Sequence, residues 1–179
     1  GKNLFGDCPL LDTVIWNLRD ASLDVKPLYN NDNISYVIIG DSVTTIGKSA
    51  FSSCSNLQTV EWGRNLKIIG ESAFSNTGLR SVILPEGVDS IAHGAFYSCD
   101  SLHVVSIPSS VRRIFERANS KNAPFRDCHT IDSIYWNANQ CPDLPFTYIY
   151  TKGIQVVEFG DSIKHIPNNF CEKFDSLKT

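Results

Sequence analysis

Residues Ile34 to Trp62 read ISYVIIGDSVTTIGKSAFSSCSNLQTVEW, and the frame inside this stretch returns along almost the whole chain. Its second half sets Phe51, Cys54, Leu57, Val60 and Trp62 in the order F-x-x-C-x-x-L-x-x-V-x-W. The same order recurs as Phe5, Cys8, Leu11, Val14 and Trp16; as Phe96, Cys99, Leu102, Val105 and Ile107; and as Phe125, Cys128, Ile131, Ile134 and Trp136. A shortened copy runs through Phe74, Thr77, Leu79, Val82 and Leu84, with one residue dropped and Thr in the Cys slot. The first half repeats as apolar pairs three apart: Val43 and Ile46, Leu66 and Ile69, Val88 and Ile91, Val111 and Ile114, Ile163 and Ile166. One such copy cannot bury its apolar side chains alone, so copies of this kind stack.

The residues at strand centres, Val14, Val37, Val60, Val82, Val105, Ile134 and Val157, lie 23, 23, 22, 23, 29 and 23 residues apart. That spacing falls in the range of leucine-rich repeats. The single long interval comes from the polar insertion FERANSKNAP, Phe115 to Pro124, which is expected to bulge from one rung. A longer repeat overlies the short one. Phe5, Cys8, Trp16, Asn17, Gly40, Asp41, Ser42, Ile46 and Leu57 recur 120 residues later as Phe125, Cys128, Trp136, Asn137, Gly160, Asp161, Ser162, Ile166 and Leu177. The expectation is one elongated solenoid domain over residues 1–179, a segment of a longer array, with no linker inside it.

With 42% hydrophobic and 20% charged residues and a net charge of -3, the chain has enough apolar material for a core and lacks the basic excess of a nucleic-acid binder. No apolar run approaches the length of a membrane span, so no membrane insertion is expected of this segment. Cys8, Cys54, Cys99 and Cys128 share one repeat slot, a ladder and not a stapling pattern. Two readings compete there: buried free thiols serving backbone groups at the bend, or a disulfide between Cys99 and Cys128, whose rungs stack about 4.8 Å apart. Cys141 and Cys171 lie off the ladder.

The segments Asn17 to Asn33 and Asn137 to Gly153 replace the usual half-repeat and are expected to form polar connections, extended or with short helical turns. Gly40-Asp41-Ser42 and Gly160-Asp161-Ser162 read as corners, with Gly expected to allow unusual dihedrals and Asp or Ser to bond back to the backbone. Ala50, Ala73 and Ala95 are small where the backbone must pack closely, and Phe51, Phe74, Phe96 and Phe125 are expected to form a stacked interior spine. Side chains alternate along a strand. With Val60 and Trp62 inward, the outward positions include Ile15, Tyr36, Ile38, Glu61, Ile83, Val104, Tyr135, Val156 and Glu158. This outward face is unusually apolar, as a ligand-binding stripe would be. The plainer explanation is the general preference of strands for β-branched and aromatic residues.

The matched copies make the chain resemble the BspA-type leucine-rich repeat family from Phe5 to Thr179. The family's I-G-x-x-A-F-x-x-C-x-x-L-x-x-V-x-I/L-P repeat is met by Ile69-Gly70 with Ala73-Phe74, by SVILPEGV at Ser81 to Val88, and by VSIPSSV at Val105 to Val111. The resemblance implies a β-rich α/β solenoid, a right-handed superhelix of about seven rungs with a parallel sheet on one face. It also implies a secreted or cell-surface protein with an adhesive role, binding a host matrix or cell-surface protein or a glycan. It brings no catalytic residues with it.

Reactive groups do not converge in the sequence. His93, His103, His129 and His165 occupy different repeat slots, and neither H-E-x-x-H nor a C-x-x-C pair is present, so no metal or cofactor is expected. Glu61 and Glu158 stand four rungs apart, near 20 Å at about 4.8 Å per rung, too far for a glycosidase pair. A non-catalytic binding module leads, a passive stalk or spacer follows, and a hydrolase is the remote alternative. The chain stops in mid-rung at Thr179. That is expected to leave either a sheet edge prone to edge-to-edge self-association or further rungs beyond it.

Overall fold

A computed structural model of the chain describes residues 5, 8–18, 28–114, 123–141, 153–164 and 166. Within these, the elements are β1 (Thr13–Trp16), β2 (Tyr36–Ile39), β3 (Thr45–Ile46), β4 (Thr59–Glu61), β5 (Ile68–Ile69), β6 (Ser81–Ile83), β7 (Ser90–Ile91), β8 (Val104–Ile107), β9 (Arg113–Ile114), β10 (Ser133–Trp136) and β11 (Val156–Phe159). All pairings are parallel, as they must be when successive turns of a coil stack in register. One side of the coil carries the long strands in two sheets, β1-β2-β4 and β6-β8-β10-β11, and the other carries the two-residue strands β3-β5-β7-β9.

The described residues contain no helix, and the paired strands make a parallel-sheet solenoid of about five turns. The helical component expected from the sequence is therefore not found there, and about five turns stand where about seven rungs were expected. Where short helical steps were expected between the sheets, the chain turns sharply through left-handed residues two after each Phe of the spine and two before Phe51, Phe74 and Phe96. Ser49, Ser53, Ser72, Asn76, Ser98 and Asp127 hold φ between 52° and 61°. Donors in these turns alternate between their own turn, as Ser52 to Ser49 at 3.3 Å, and the next rung. The N–H of Phe51 donates to Ala73 at 2.8 Å, that of Phe74 to Ala95 at 2.7 Å and that of Phe96 to Pro124 at 2.8 Å. A helix would have spent those donors internally.

The interior is filled as the frame requires. Phe51, Phe74 and Phe96 are fully buried and stack at ring separations of 5.1 and 5.6 Å, and Phe96 continues onto Phe125 at 5.0 Å. Ala50, Ala73 and Ala95 are buried beside them. In the I-G pair, a Cβ on Gly70 would stand 2.6 Å from the Ile46 carbonyl oxygen, so the close approach of rungs excludes any side chain there.

The Cys slot is an inter-rung bonding ladder. Cys54 Sγ donates to the Leu28 carbonyl at 2.9 Å, Cys99 to Phe74 at 3.2 Å and Cys128 to Phe96 at 3.0 Å. Thr77 departs from the ladder: its Oγ1 donates within its own rung to Phe74 at 2.9 Å and lies 3.2 Å from Cys99 Sγ of the next. Cys99 and Cys128 are both free thiols, as are Cys54 and Cys141, which are buried, and Cys8, which is exposed. Cys171 lies outside the described residues.

The first half of one rung escaped the sequence reading. Leu28, Asn31, Ile34, Val37 and Ile39 satisfy the same frame with Leu for Phe and Asn for Cys, and all five are buried. Asn31 Nδ2 donates to the Phe5 carbonyl at 2.9 Å, the role its Cys counterparts play one rung on. Residues 28–33 thus belong to the stack and not to a connection. The insertion and the second connection fall mostly outside the described residues. The Gly of the Gly-Asp-Ser corners also needs a different explanation. Gly40 and Gly160 are not among the residues with positive φ. A Cβ there would stand 1.8 Å from Asn17 Oδ1 and 2.0 Å from Asn137 Oδ1, so each Asn side chain occupies the place a larger residue would take. The corner Asp bonds forward, not back: Asp41 accepts from the Arg64 N–H at 3.0 Å and from Arg64 Nε at 2.7 Å.

Candidate functional site

The strand register sets every outward residue. Val14, Val37 and Val60 align, as do Val82, Val105, Ile134 and Val157, and all seven are buried or packed against the core. Their neighbours in the chain therefore point out. Two rows result on each sheet. On β1-β2-β4 they are Thr13, Tyr36 and Thr59, then Ile15, Ile38 and Glu61. On β6-β8-β10-β11 they are Ser81, Val104, Ser133 and Val156, then Ile83, Ser106, Tyr135 and Glu158.

All nine residues singled out from the sequence stand on this face. Ile15, Ile83 and Val156 are 65%, 59% and 43% exposed, Glu61 and Glu158 are exposed, and Tyr36, Ile38, Val104 and Tyr135 are half-buried. They form two groups, because β4 and β6 share no ladder pair. At the strand entry the two rungs are still bonded, the Arg80 N–H donating to the Gln58 carbonyl at 3.3 Å. Ile15, Tyr36, Ile38 and Glu61 lie on one side of the split and the other five on the far side.

The split falls at the shortened copy, where one residue is missing between Thr77 and Leu79. Sequence reading registered the deletion but not its effect on the face. It also missed Trp62. The Trp at this slot is buried in β1 and β10, yet Trp62, just past β4, stays partly exposed. Its indole meets Phe74 edge-on at 5.3 Å and Phe96 at 6.5 Å, reaching the rings of the two following rungs.

Polar chemistry on the face is sparse. The Tyr36 hydroxyl donates to the Glu61 carboxylate. That bond, with some desolvation and the neighbouring negative charge, raises the tyrosine pKa above its ordinary value. His103 Nδ1 lies 3.2 Å from Asp132 Oδ2 at the strand entry. At the opposite end a depression of about 180 Å³ is lined by the corners, among them Glu86, Asn137 and Asp161, and the Ser109 N–H and hydroxyl already occupy the Glu86 carboxylate. Among the described residues no three of His, Cys, Asp or Glu could hold a metal ion, and no helix is long and apolar enough to cross a membrane. Burial pushes the thiols of Cys54 and Cys141 up to about 11, the reverse of what a nucleophilic cysteine needs.

Comparison with known structures returns the same coil. A leucine-rich repeat protein from Bacteroides ovatus superposes with a TM-score of 0.62 at 21% identity, covering 83% of this chain and 43% of its own. The T. pallidum leucine rich repeat protein gives 0.60 at 19% identity, covering 93% and 80% respectively. A leucine rich cell surface protein from Faecalibacterium prausnitzii gives 0.50 at 26%, covering 82% and 30%. The chain thus spans less than half the length of the first of these relatives. No curated protein matches it in sequence. The BspA type leucine rich repeat region matches in six copies over residues 24–141. With more than half of its length matched copy by copy and the coil itself built from them, this chain belongs to the BspA type leucine-rich repeat family.

Proposed function

We propose that the chain is a non-catalytic binding module of a secreted or cell-surface protein, adhesin-like, that presents the long-strand face of one continuous solenoid domain to a protein. The observation that carries this reading is the apolar exposure on the outward face. Ile15, Ile83 and Val156 hold their side chains in water on a backbone that stacking has already made rigid. Such exposure on a fixed surface favours association, because little conformational freedom is left to lose on binding. The cell-surface relative from F. prausnitzii supports the location.

Binding of the purified chain to a panel of extracellular matrix proteins, mucins and glycans tests the proposal, with an Ile83→Glu/Tyr135→Glu variant alongside. Saturable binding to a matrix protein that the folded variant loses is the expected result. A second reading, a passive stalk, is favoured by the ring stack and rung-to-rung backbone bonds, which make a stiff rod. Absence of binding to every member of the panel would leave the stalk and overturn the module.

A further inference from the structure

Among the described cysteines only Cys99 and Cys128 hold the ladder slot on neighbouring rungs. Asn31 stands between Cys8 and Cys54, and Thr77 between Cys54 and Cys99. Both thiols are fully buried, and a hydrogen bond joins them. Thr77 sets this pair apart from the rest of the ladder. Its hydroxyl lies 3.2 Å from Cys99 Sγ and 2.9 Å from the Phe74 carbonyl, the same carbonyl that Cys99 serves at 3.2 Å. Burial would raise the Cys99 thiol, but Cys128 Sγ and the Thr77 hydroxyl and N–H all stand where they can donate to its sulfur, and its pKa falls below the ordinary value. Cys128 is pushed the other way, first by its hydrogen bond to Cys99 and then by burial. One sulfur of the pair thus favours the thiolate while the other keeps its proton. Cys54, whose neighbouring rungs carry no thiol, is simply raised by burial.

We propose that Cys99 and Cys128 are a redox pair, free thiols here that hydrogen peroxide converts to a disulfide tying the two rungs together across the insertion. Stacked rungs lie about 4.8 Å apart, inside the roughly 4.4–6.8 Å between Cα atoms that a disulfide spans. The Cys99 thiolate attacks one peroxide oxygen, the O–O bond breaks, and a sulfenic acid and one water result. Cys128 sulfur then attacks the Cys99 sulfur, the S–O bond breaks, and the hydroxyl leaves with the Cys128 proton as a second water. Two thiols and one peroxide therefore give one disulfide and two waters. The bridge is neutral, as a buried group must be, and the Phe74 carbonyl that loses the Cys99 donor keeps Thr77. It also closes the longest interval between rungs, where a cross-link restricts the unfolded chain most.

The test uses the whole folded chain with Cys8→Ser, which removes the exposed thiol that would join two copies. The protein is treated with hydrogen peroxide, quenched, denatured, alkylated and mapped by mass spectrometry. The expected result is a peptide carrying Cys99 joined to one carrying Cys128, about 2 Da lighter than the two thiols together, with a melting temperature raised by several degrees and restored by a thiol reductant. Cys128→Ser should stop the reaction at a sulfenic acid on Cys99 that dimedone traps, and Cys99→Ser should give neither bridge nor adduct. Thr77→Val should slow formation of the bridge. Mere destabilisation would open the rungs and speed it, so slowing reports on the hydroxyl. Recovery of both cysteines as free thiols, a bridge from either one to a different cysteine, or a dimedone adduct on Cys128 in place of Cys99 would overturn the proposal. An unchanged or faster reaction in Thr77→Val would overturn the part given to Thr77.

Discussion

Phe74 is the residue on which the stack can be tested most directly. Its ring is fully buried and lies between two others, 5.1 Å from Phe51 and 5.6 Å from Phe96, with the Trp62 indole edge-on at 5.3 Å. Truncation to Ala leaves a ring-sized void that cannot collapse, because backbone bonds to the next rung hold the walls apart. Phe→Ala in a core costs about 3–5 kcal/mol, and the broken ring pairs place this site toward the upper end. At roughly 2–4 °C per kcal/mol for a chain of this size, the melting temperature should drop by about 8–20 °C. Differential scanning calorimetry gives the shift. Native-state hydrogen exchange gives its location, since repeat units share stability with their immediate neighbours. Protection should fall first at Phe51 and Phe96 and last toward the ends. Phe125→Ala, with one ring partner among the described residues, should cost less. A folded Phe74→Ala protein with an unchanged melting temperature, or loss of protection spread evenly along the chain, would refute the stacked spine.

Gly40→Ala should destabilise by about 1–3 kcal/mol, because the new methyl falls on Asn17 Oδ1. Urea unfolding of Gly40→Ala, Asn17→Ala and the double variant should show the loss recovered in part when both are changed, and strict additivity would remove this cause. High pH should weaken the fold through its buried thiols. The pKa of Cys54 rises from 9.0 to about 11 on folding, so the native state holds its proton more tightly than the unfolded chain does. That stabilisation is fully present below pH 9 and is lost as pH rises through about 11, the sign required when the native state binds more protons. A Cys54→Ser protein should lose part of this decline in equilibrium unfolding between pH 8 and 11, whereas an identical profile would acquit the thiol.

The repeat frame was legible because a coil whose turns must stack in register imposes the same inward positions on every turn. Phe, Cys, Leu and Val slots read directly as spine, bonding ladder and strand. Leu28 and Asn31 were illegible by residue type because they replace Phe and Cys with other side chains. They keep the volume and the hydrogen bond all the same, Asn31 donating to Phe5 as Cys54 does to Leu28. The absence of helix among the described residues was equally hidden. Nothing local distinguishes a short helical step from a tight turn that sends alternate donors to the next rung.

The outward face divides in the same manner. Alternation along the strands placed all nine residues on one side, since a one-residue slip would have put Val60 and Val82 into water. What tertiary structure alone decided is how those residues group. The deletion after Thr77 is plain in the sequence, but the parting of the face into two sheets at the same rungs is not. Those rungs stay bonded through β5 and β7 on the far side of the coil while β4 and β6 part on the near side. Periodicity is a property of each rung and can be read from one strand of text. A break in pairing is a property of two rungs at once, set by the backbone bonds around them.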